Sequence, residues 1–216
     1  MKNTGHIRTV SIGAERLPKE GGYIMYPNHQ GKYDVLGIMT THEKPCSFVI
    51  DARRSHMTLV REFTDLLQGK RLKKTDLKST FALFREITKE IVSGRRYIIF
   101  PEGGYTRGKN NGVDDFLPGS FKLATLSRAP IIPVALFDSY KVIDSGTCGR
   151  GRDVTTYVDY LDPIYYEEYR GLKTREIAAL VRRKILNAIA SLESQIEAGT
   201  LGPDSAAGDI CVPSKA

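Results

Sequence analysis

The chain has 216 residues, enough for one domain with a sizeable core. Hydrophobic residues make up 41% and charged residues 26%, which fits a globular protein and excludes a low-complexity or fibrous chain. The 32 Lys and Arg residues exceed the 25 Asp and Glu residues, giving a net charge of +7. This excess favours an anionic partner: a phosphate group, a phospholipid surface or nucleic acid.

The hydrophobic pattern alternates between strands and helices along the chain. Strands are predicted at 6–12, 23–26, 46–51, 97–100, 131–136 and 155–161. Helices are predicted at 35–41, 56–67, 77–93, 118–128 and 174–197. With no break in composition, this order predicts a single α/β domain over 1–198, with a central, mostly parallel or mixed sheet covered by helices on both faces. Residues 199–216 contain small residues and prolines and are predicted to be a disordered tail.

Two of these helices carry apolar side chains at helical spacing, which we assign to the core. The shorter helix contributes Met57, Val60, Phe63, Leu66 and Leu67, and the longer one Leu77, Phe81, Phe84, Ile87 and Ile91. Residues 69–74 are predicted to be a basic connection between the two helices. Pro133 suggests that its strand lies at an edge of the sheet or contains a bulge.

The cysteines and the apolar runs limit the cellular context. Cys46, Cys148 and Cys211 lie far apart, without zinc-site spacing, and their odd number argues against a disulfide framework. A reduced cytoplasmic compartment is therefore expected. The longest apolar runs, such as 129–137, fall far short of the roughly 20 residues that a membrane span needs.

A histidine and an aspartate follow the second predicted strand. His29 and Asp34 are separated by four residues, including Gly31. On a continuous helix, side chains five positions apart would point about 140° away from each other, so the two can meet only if the chain turns. Gly31 makes that turn easy. A neutral imidazole oriented by a carboxylate can remove a proton from a hydroxyl, although a surface histidine next to a helix start is the alternative.

Three motifs together resemble the glycerolipid acyltransferase family and, within it, the bacterial 1-acylglycerol-3-phosphate acyltransferases. The first is Asn28-His29 with Asp34, the second Phe100-Pro101-Glu102-Gly103, and the third the proline-containing strand 130–134. They occur in the family's order and cover roughly residues 10 to 190. The resemblance implies a glycerol-3-phosphate acyltransferase-like fold. It also implies transfer of a fatty acyl group from acyl-CoA or acyl carrier protein to the free hydroxyl of a lysophospholipid.

The resemblance also implies roles for individual residues. His29 would be the general base and Asp34 its orienting partner. The acceptor hydroxyl would attack the thioester directly, with no acyl-enzyme, cofactor or metal. The substrate-binding residues would be Asn28, Lys74, Glu102, Gly103, Gly104 and Arg107. Arg107 offers a fork of donors to a phosphate, the glycines allow close approach of backbone amides, and Glu102 would hold the loop or contact the glycerol hydroxyl.

Two departures from the family pattern concern the acceptor. The family commonly has Phe-Pro-Glu-Gly-Thr-Arg, whereas Gly104 and Tyr105 precede Thr106-Arg107 here. Lys73-Lys74 stands where the family usually has Asp-Arg, which replaces a bidentate donor with point charges. Glycerol-3-phosphate, another lysophospholipid or a lyso-aminolipid therefore remain alternative acceptors.

The expected partner surface is an anionic membrane, because a long-chain acceptor is found in a bilayer. This predicts a cytoplasmic protein, peripheral on the inner face of the cell membrane. Relatives often begin with a hydrophobic or amphipathic helix before the first strand, and this chain starts almost at that strand. Either this chain is a truncated relative without such a segment, or another apolar surface of the protein docks on the membrane.

Two other function classes fit the sequence less well. Residues 103–109 are one residue short of a nucleotide-binding P-loop, and Asn110 occupies the position of the magnesium-binding hydroxyl. A non-enzymatic basic module could bind acidic lipid or nucleic acid. However, the basic residues are dispersed between core-patterned elements with no recognition helix, so we expect no nucleic-acid partner.

Overall fold

The computed structural model describes residues 7–57, 60–73, 75–106, 108–143 and 154–202. The strands in these ranges are β1 (Ile7–Ile12), β2 (Ile24–Pro27), β3 (Cys46–Asp51), β4 (Lys70–Leu72), β5 (Arg96–Ile98), β6 (Ile131–Phe137) and β7 (Val154–Tyr160). The helices are α1 (Asp34–Thr41), α2 (Val60–Leu66), α3 (Leu77–Val92), α4 (Lys122–Ser127), α5 (Tyr140–Ile143), α6 (Tyr166–Tyr169) and α7 (Thr174–Glu197). Short 3-10 helices occur at Ala14–Arg16, Arg54–His56 and Pro118–Phe121.

The strands form one seven-stranded sheet in the order β1-β7-β6-β2-β5-β3-β4. Among the pairings of these described strands, β6–β7 alone is antiparallel. The parallel pairings that join β2, β3, β4, β5 and β6 make these five strands run in the same direction. β2 lies between β5 and β6, and its Met25 is paired with Ile98 on one side and Ile132 on the other. The carboxyl ends of these three strands therefore meet at one edge of the sheet, where loops of α/β proteins form ligand sites.

Side chains along β2 alternate between the two faces of the sheet, as the pleat requires. Ile24 and Tyr26 belong to a core cluster that includes buried residues of α3, α4 and α7. Tyr23 and Met25 belong to a second cluster on the other face, which includes Ile38 of α1. The predicted single α/β domain, with a mostly parallel sheet between helical layers, is confirmed.

Several predicted elements need correction. The helix predicted at 56–67 is divided into the 3-10 turn Arg54–His56 and α2, and the basic connection at 69–74 contains the edge strand β4. Pro133 does not mark an edge, because β6 lies between β2 and β7. Strand β7 ends at Tyr160, opposite Val134. The β6–β7 ladder therefore needs no backbone N–H at position 133, the group that proline lacks.

The apolar stripe at the start of α3 is not core, contrary to prediction. Ile87 and Ile91 are fully buried, but Leu77 and Phe81 are 72% and 59% exposed. Met57 and Leu66, also assigned to the core, are exposed as well. The helical period predicts α3 itself, but it does not predict how far along the helix the neighbouring elements cover it.

Helix α7 ends at Glu197, and the predicted boundary at residue 198 follows it directly. The next residues fold back on the helix, since Thr200 N and Leu201 N both donate to Gln195 O, and Leu201 packs partly buried against the core. The rest of the predicted disordered tail, 203–216, lies outside the described residues.

His42 lies buried behind the sheet, and its two ring nitrogens have different partners. Nδ1 donates to Lys44 O at 2.5 Å, so Nε2 accepts from Tyr23 Oη at 2.5 Å. Burial lowers the pKa of His42 below its ordinary value, and the cation of Arg96 acts in the same direction. The folded protein therefore favours the neutral imidazole.

We expect this histidine to make stability depend on pH. The unfolded chain takes up a proton near pH 6.5, whereas folded His42 does so only at lower pH. Its stabilising contribution is complete above about pH 6.5 and declines as the pH falls below that value. Urea unfolding at pH 7.5 and 5.5 should show a smaller difference for His42→Asn than for the wild type; equal differences would contradict the assignment.

Candidate active site

The loops that leave β2, β5 and β6 converge at the carboxyl edge of the sheet. His29 follows β2, Glu102 follows β5, and Ser139 follows β6. His29 N donates to Glu102 Oε1 at 2.8 Å, which joins the first two loops directly. As predicted, the loops after β2 and β5 share one site, and the structure adds the loop after β6.

The turn between β2 and α1 brings His29 and Asp34 into contact. His29 Nδ1 donates to Asp34 Oδ2 at 2.7 Å, and the same oxygen accepts from Gln30 N at 2.6 Å and Gly31 N at 3.0 Å. One carboxylate therefore both holds the turn and orients the imidazole. Because the proton is on Nδ1, Nε2 keeps its lone pair. Within the described part of the chain, no hydrogen-bond partner contacts Nε2.

Asp34 is fully buried, and its second oxygen is bonded as well. Ser139 Oγ lies 2.6 Å from Asp34 Oδ1 and 2.9 Å from Gln30 Oε1, so its single hydrogen points to the nearer carboxylate. Ser139 N donates to Gln30 Oε1 at 2.9 Å. The carboxylate thus accepts four hydrogen bonds, which fixes it firmly behind His29.

Glu102 is the centre of a second buried network. Its carboxylate is fully buried, and Oε2 accepts from Lys109 Nζ and, at 3.2 Å, from Asp114 N. Burial raises the pKa of Glu102, whereas the Lys109 ammonium and the His29 N–H act in the opposite direction. Arg182 of α7 donates to Asp114 O at 3.0 Å and so attaches this loop to the C-terminal helix.

Removing the Lys109 ammonium should destabilise the fold, because Glu102 would keep an uncompensated charge in the interior. We expect Lys109→Met to lower the free energy of unfolding by about 3 kcal/mol. Arg61→Met, which breaks an exposed pair with Asp65, should cost about 1 kcal/mol or less. Urea unfolding measures both variants, and equal losses would contradict the role given to Lys109. The double variant Glu102→Gln/Lys109→Met should recover part of the loss.

Aromatic rings cover the imidazole of His29, leaving its side chain 16% exposed. Phe100 stacks on the ring with centroids 4.1 Å apart, and Tyr105 meets it edge-on at 4.9 Å. The guanidinium of Arg54 lies 5.7 Å from the Tyr105 ring centroid, so the 3-10 turn after β3 borders the same site. The rings therefore shield most of the imidazole from solvent.

A basic cavity of about 350 Å³ opens beside that turn. It is lined by Asp51, Ala52, Arg53, His56, Lys73 and Thr75. Arg53 and His56 flank Arg54 in sequence, and Arg54 contacts Tyr105 next to His29. The turn that lines the cavity thus reaches the imidazole through the contacts of Arg54 and Tyr105, and Arg53 and Lys73 in the lining suit an anionic group.

Three residues predicted to bind substrate form hydrogen bonds within the fold. Asn28 is fully buried, and its side-chain amide pairs with the backbone of Leu136 at 3.0 and 2.7 Å. Gly103 N donates to Phe100 O at 3.2 Å, so this amide closes the turn after β5. Glu102 holds the loop, as one of its two predicted roles required, but its buried carboxylate offers no oxygen to a glycerol hydroxyl.

The remaining predicted residues differ in how far the structure describes them. Gly104 is half-buried, with nothing within 4 Å of the point where a Cβ would lie, so it leaves room beside the site. Lys74 and Arg107 lie outside the described residues. Lys109, the lysine of the P-loop-like run, is bonded to Glu102 and Asp114 instead of facing open space, which argues against nucleotide binding.

The described residues contain neither a candidate metal site nor a candidate membrane span. Across the described ranges, no group of three or more His, Cys, Asp or Glu residues is arranged to hold a metal ion. None of the described helices is both long and apolar enough to cross a bilayer.

Sequence reasoning missed Gln30, Ser139 and Lys109. Ser139 could have been found from its position after the strand next to β2, since neighbouring parallel strands end at the same edge. Gln30 lies inside the His-x4-Asp motif, but nothing in its type suggested that it would join two loops. The sequence pattern around Lys109 indicates only a P-loop-like run, not a partner for Glu102.

Comparison with known proteins agrees with this geometry. The family model described as Acyltransferase matches residues 8–137, more than half of the chain, and the chain therefore belongs to this family. The matched region includes the His29–Asp34 pair and the Glu102 loop.

Named relatives point to one branch. The chain is 27% identical over 183 residues to the 1-acyl-sn-glycerol-3-phosphate acyltransferase of Escherichia coli, covering 82% of this chain and 70% of the relative. It is 30% identical over 135 residues to the protein of the same name from Borreliella burgdorferi, covering 62% of this chain. That match spans 52% of the relative, so about half of its length has a counterpart here.

One solved structure shows the same fold. The crystal structure of the 1-acyl-sn-glycerophosphate acyltransferase from Thermotoga maritima superposes with a TM-score of 0.71 at 20% sequence identity. The superposition covers 86% of this chain and 72% of the other. At this identity the likeness establishes the architecture, and the chemistry has to be argued from the site.

Proposed function

We propose that this protein transfers a fatty acyl group from a thioester donor to the free hydroxyl of 1-acyl-sn-glycerol-3-phosphate, giving phosphatidic acid for phospholipid synthesis. The observation that carries this proposal is the 2.7 Å contact from His29 Nδ1 to Asp34 Oδ2, which leaves Nε2 as a base at the carboxyl edge of the sheet. The names of the relatives from E. coli and B. burgdorferi support the same acceptor.

In the proposed reaction, His29 Nε2 takes the proton of the acceptor hydroxyl as the oxygen attacks the thioester carbonyl. Asp34 stabilises the imidazolium that forms. The tetrahedral intermediate then collapses, the C–S bond breaks, and the thiolate leaves. The imidazolium returns its proton from Nε2 to the departing sulfur. A thiolate is a good leaving group, so no acyl-enzyme and no cofactor are required.

The acceptor phosphate needs a cationic seat near the imidazole. The resemblance assigns Lys74 and Arg107 to this seat. The cavity lined by Arg53, His56 and Lys73 supports a cationic seat near the turn that contains Arg54. Lys73 and Thr75, which line the cavity from the connection between β4 and α3, flank Lys74 in sequence. Several cations around one phosphate compensate for the missing bidentate arginine.

Arg107→Ala tests the phosphate seat. If Arg107 binds the phosphate in both the ground and the transition state, KM for the lysophosphatidate should rise by about tenfold or more, with a smaller change in kcat. Steady-state kinetics with the acceptor varied at a saturating donor measures this split. A loss confined to kcat would contradict phosphate binding. Arg61→Ala, on the exposed surface of α2, serves as a matched arginine control.

The proposal is tested directly by assaying thiol release by the purified protein. The acceptors to compare are 1-acyl-glycerol-3-phosphate, glycerol-3-phosphate, a neutral lysophospholipid and a lyso-aminolipid, each with acyl-CoA and with acyl carrier protein as donor. We expect the highest kcat/KM with 1-acyl-glycerol-3-phosphate and phosphatidic acid as the product by mass spectrometry. A clear preference for another acceptor, or no transfer at all, would overturn the assignment.

Because this acceptor is a bilayer lipid, we further propose that the protein works peripherally at the cytoplasmic face of the cell membrane. The net charge of +7 supports attraction to an anionic leaflet.

A further inference from the structure

The start of α3 carries large apolar side chains that the fold does not cover. Leu77 is 72% exposed and Phe81, one turn further along, is 59% exposed. The same helix buries Ile87 and Ile91, so its apolar stripe turns from solvent to core along its length. A leucine and a phenylalanine on adjacent turns form a continuous exposed apolar ridge, unlike singly scattered surface residues.

The helix α4 extends this ridge and adds positive charge. Lys122 Nζ lies 5.9 Å from the ring centroid of Phe81, which brings the start of α4 beside the ridge. Leu126, one turn after Lys122 on the same side of α4, is exposed as well. We call Leu77, Phe81, Lys122 and Leu126 the α3–α4 surface.

Two basic side chains of α3 lie beside the α3–α4 surface. Lys78 and Arg85 are exposed on α3, next to Leu77 and one turn after Phe81. The nearby acid at the helix start, Asp76, is used as the N-cap and accepts from Ser79 N at 3.1 Å. The surface therefore combines apolar tips with flexible cations, the combination that suits the boundary between headgroups and acyl chains.

The position of the α3–α4 surface relative to the site argues for a lipid partner. Lys73 and Thr75, which line the basic cavity, come directly before α3, so Leu77 is close to the cavity along the chain. The segment that leads into α4 is attached at the site edge, because Leu117 N donates to Pro101 O at 2.8 Å, in the loop after β5. A lipid reaching His29 from a bilayer would enter at this edge.

We propose that the α3–α4 surface docks on an anionic phospholipid bilayer, with Leu77 and Phe81 inserted at the level of the headgroups. The proposal rests on the proposed function for its biological purpose, which is to bring a bilayer lysophosphatidate to His29. The docking itself depends only on the exposed surface and can be measured without turnover.

Cosedimentation with vesicles of phosphatidylglycerol and phosphatidylcholine tests the docking. The variant Leu77→Ser/Phe81→Ser should bind vesicles at least about tenfold more weakly, since burying even one large apolar side chain contributes enough for that factor. Val92→Ser is the matched control and should bind like the wild type. Val92 is 71% exposed at the far end of the same helix, about 20 Å away from Leu77. Wild-type binding should also weaken in vesicles without phosphatidylglycerol.

Activity separates a failure of docking from a failure of the proposed function. The double variant should lose activity on lysophosphatidate presented in vesicles but keep it on a short-chain lysophosphatidate that is soluble as a monomer. Vesicle binding by the double variant equal to that of the wild type would overturn the docking proposal. So would a self-associated wild type that the double substitution converts to a monomer, because the surface would then bind a second copy. A wild type that binds vesicles but transfers no acyl group would overturn the proposed function alone.

Discussion

Replacing His29 with alanine is expected to slow acyl transfer by about two to four orders of magnitude, the usual contribution of a general base. The loss should appear in kcat and in kcat/KM, because Nε2 acts on the hydroxyl proton as the bond to the thioester forms. Thiol release at saturating donor and acceptor measures it.

The fold of this variant should persist. The hydrogen bond from His29 to Glu102 comes from the backbone and is retained in alanine. The circular dichroism spectrum and the cosedimentation of the variant with vesicles should therefore match those of the wild type. Near-normal turnover by a folded His29→Ala protein would remove the base assignment.

Replacing Asp34 with asparagine is expected to slow transfer by a similar factor, about two to four orders of magnitude. An asparagine can turn its carbonyl oxygen toward His29 Nδ1 and its NH₂ group toward Ser139 Oγ. The serine hydroxyl can then donate to Gln30 Oε1, 2.9 Å away. The turn and the tautomer can thus survive, but the negative charge that stabilises the imidazolium is lost. The deficit should therefore fall mainly on kcat.

Ser139→Ala is the control for this prediction. It removes one hydrogen bond to Asp34 Oδ1 but keeps the charge and the contact between Asp34 and His29. We expect a loss of about tenfold or less from that variant. A fully active Asp34→Asn protein would mean that the carboxylate and the imidazole are not coupled.

The features that follow from local pattern were predictable from the sequence. The strand at Cys46–Asp51 and the helix at Thr174–Glu197 have the predicted bounds, because both depend on short-range periodicity and flanking residues. The loops after β2 and β5 could be assigned to one site, because parallel strands end at a common edge. The contact between His29 and Asp34 required only a turn, and Gly31 suggested one.

The tertiary features could not be read from local pattern. Leu77 and Phe81 have the spacing of core residues, yet the neighbouring helices leave them exposed. The pairing of Glu102 with Lys109 forms within the long loop after β5, which has no regular pattern, and the bond from Ser139 to Asp34 joins two loops that the order of the strands brings together. Asn28 was assigned to substrate because of its place in the motif, whereas its burial depends on how β2 and β6 pair.

The claim that His29 and Asp34 act as one unit is tested most directly by a double-mutant cycle. Rates of thiol release with 1-acyl-glycerol-3-phosphate are compared for His29→Ala, Asp34→Asn and the double variant. If the carboxylate acts through the imidazole, the double variant should be about as slow as His29→Ala alone. Two losses that multiply would contradict this account, because Asp34 would then contribute to the rate without His29.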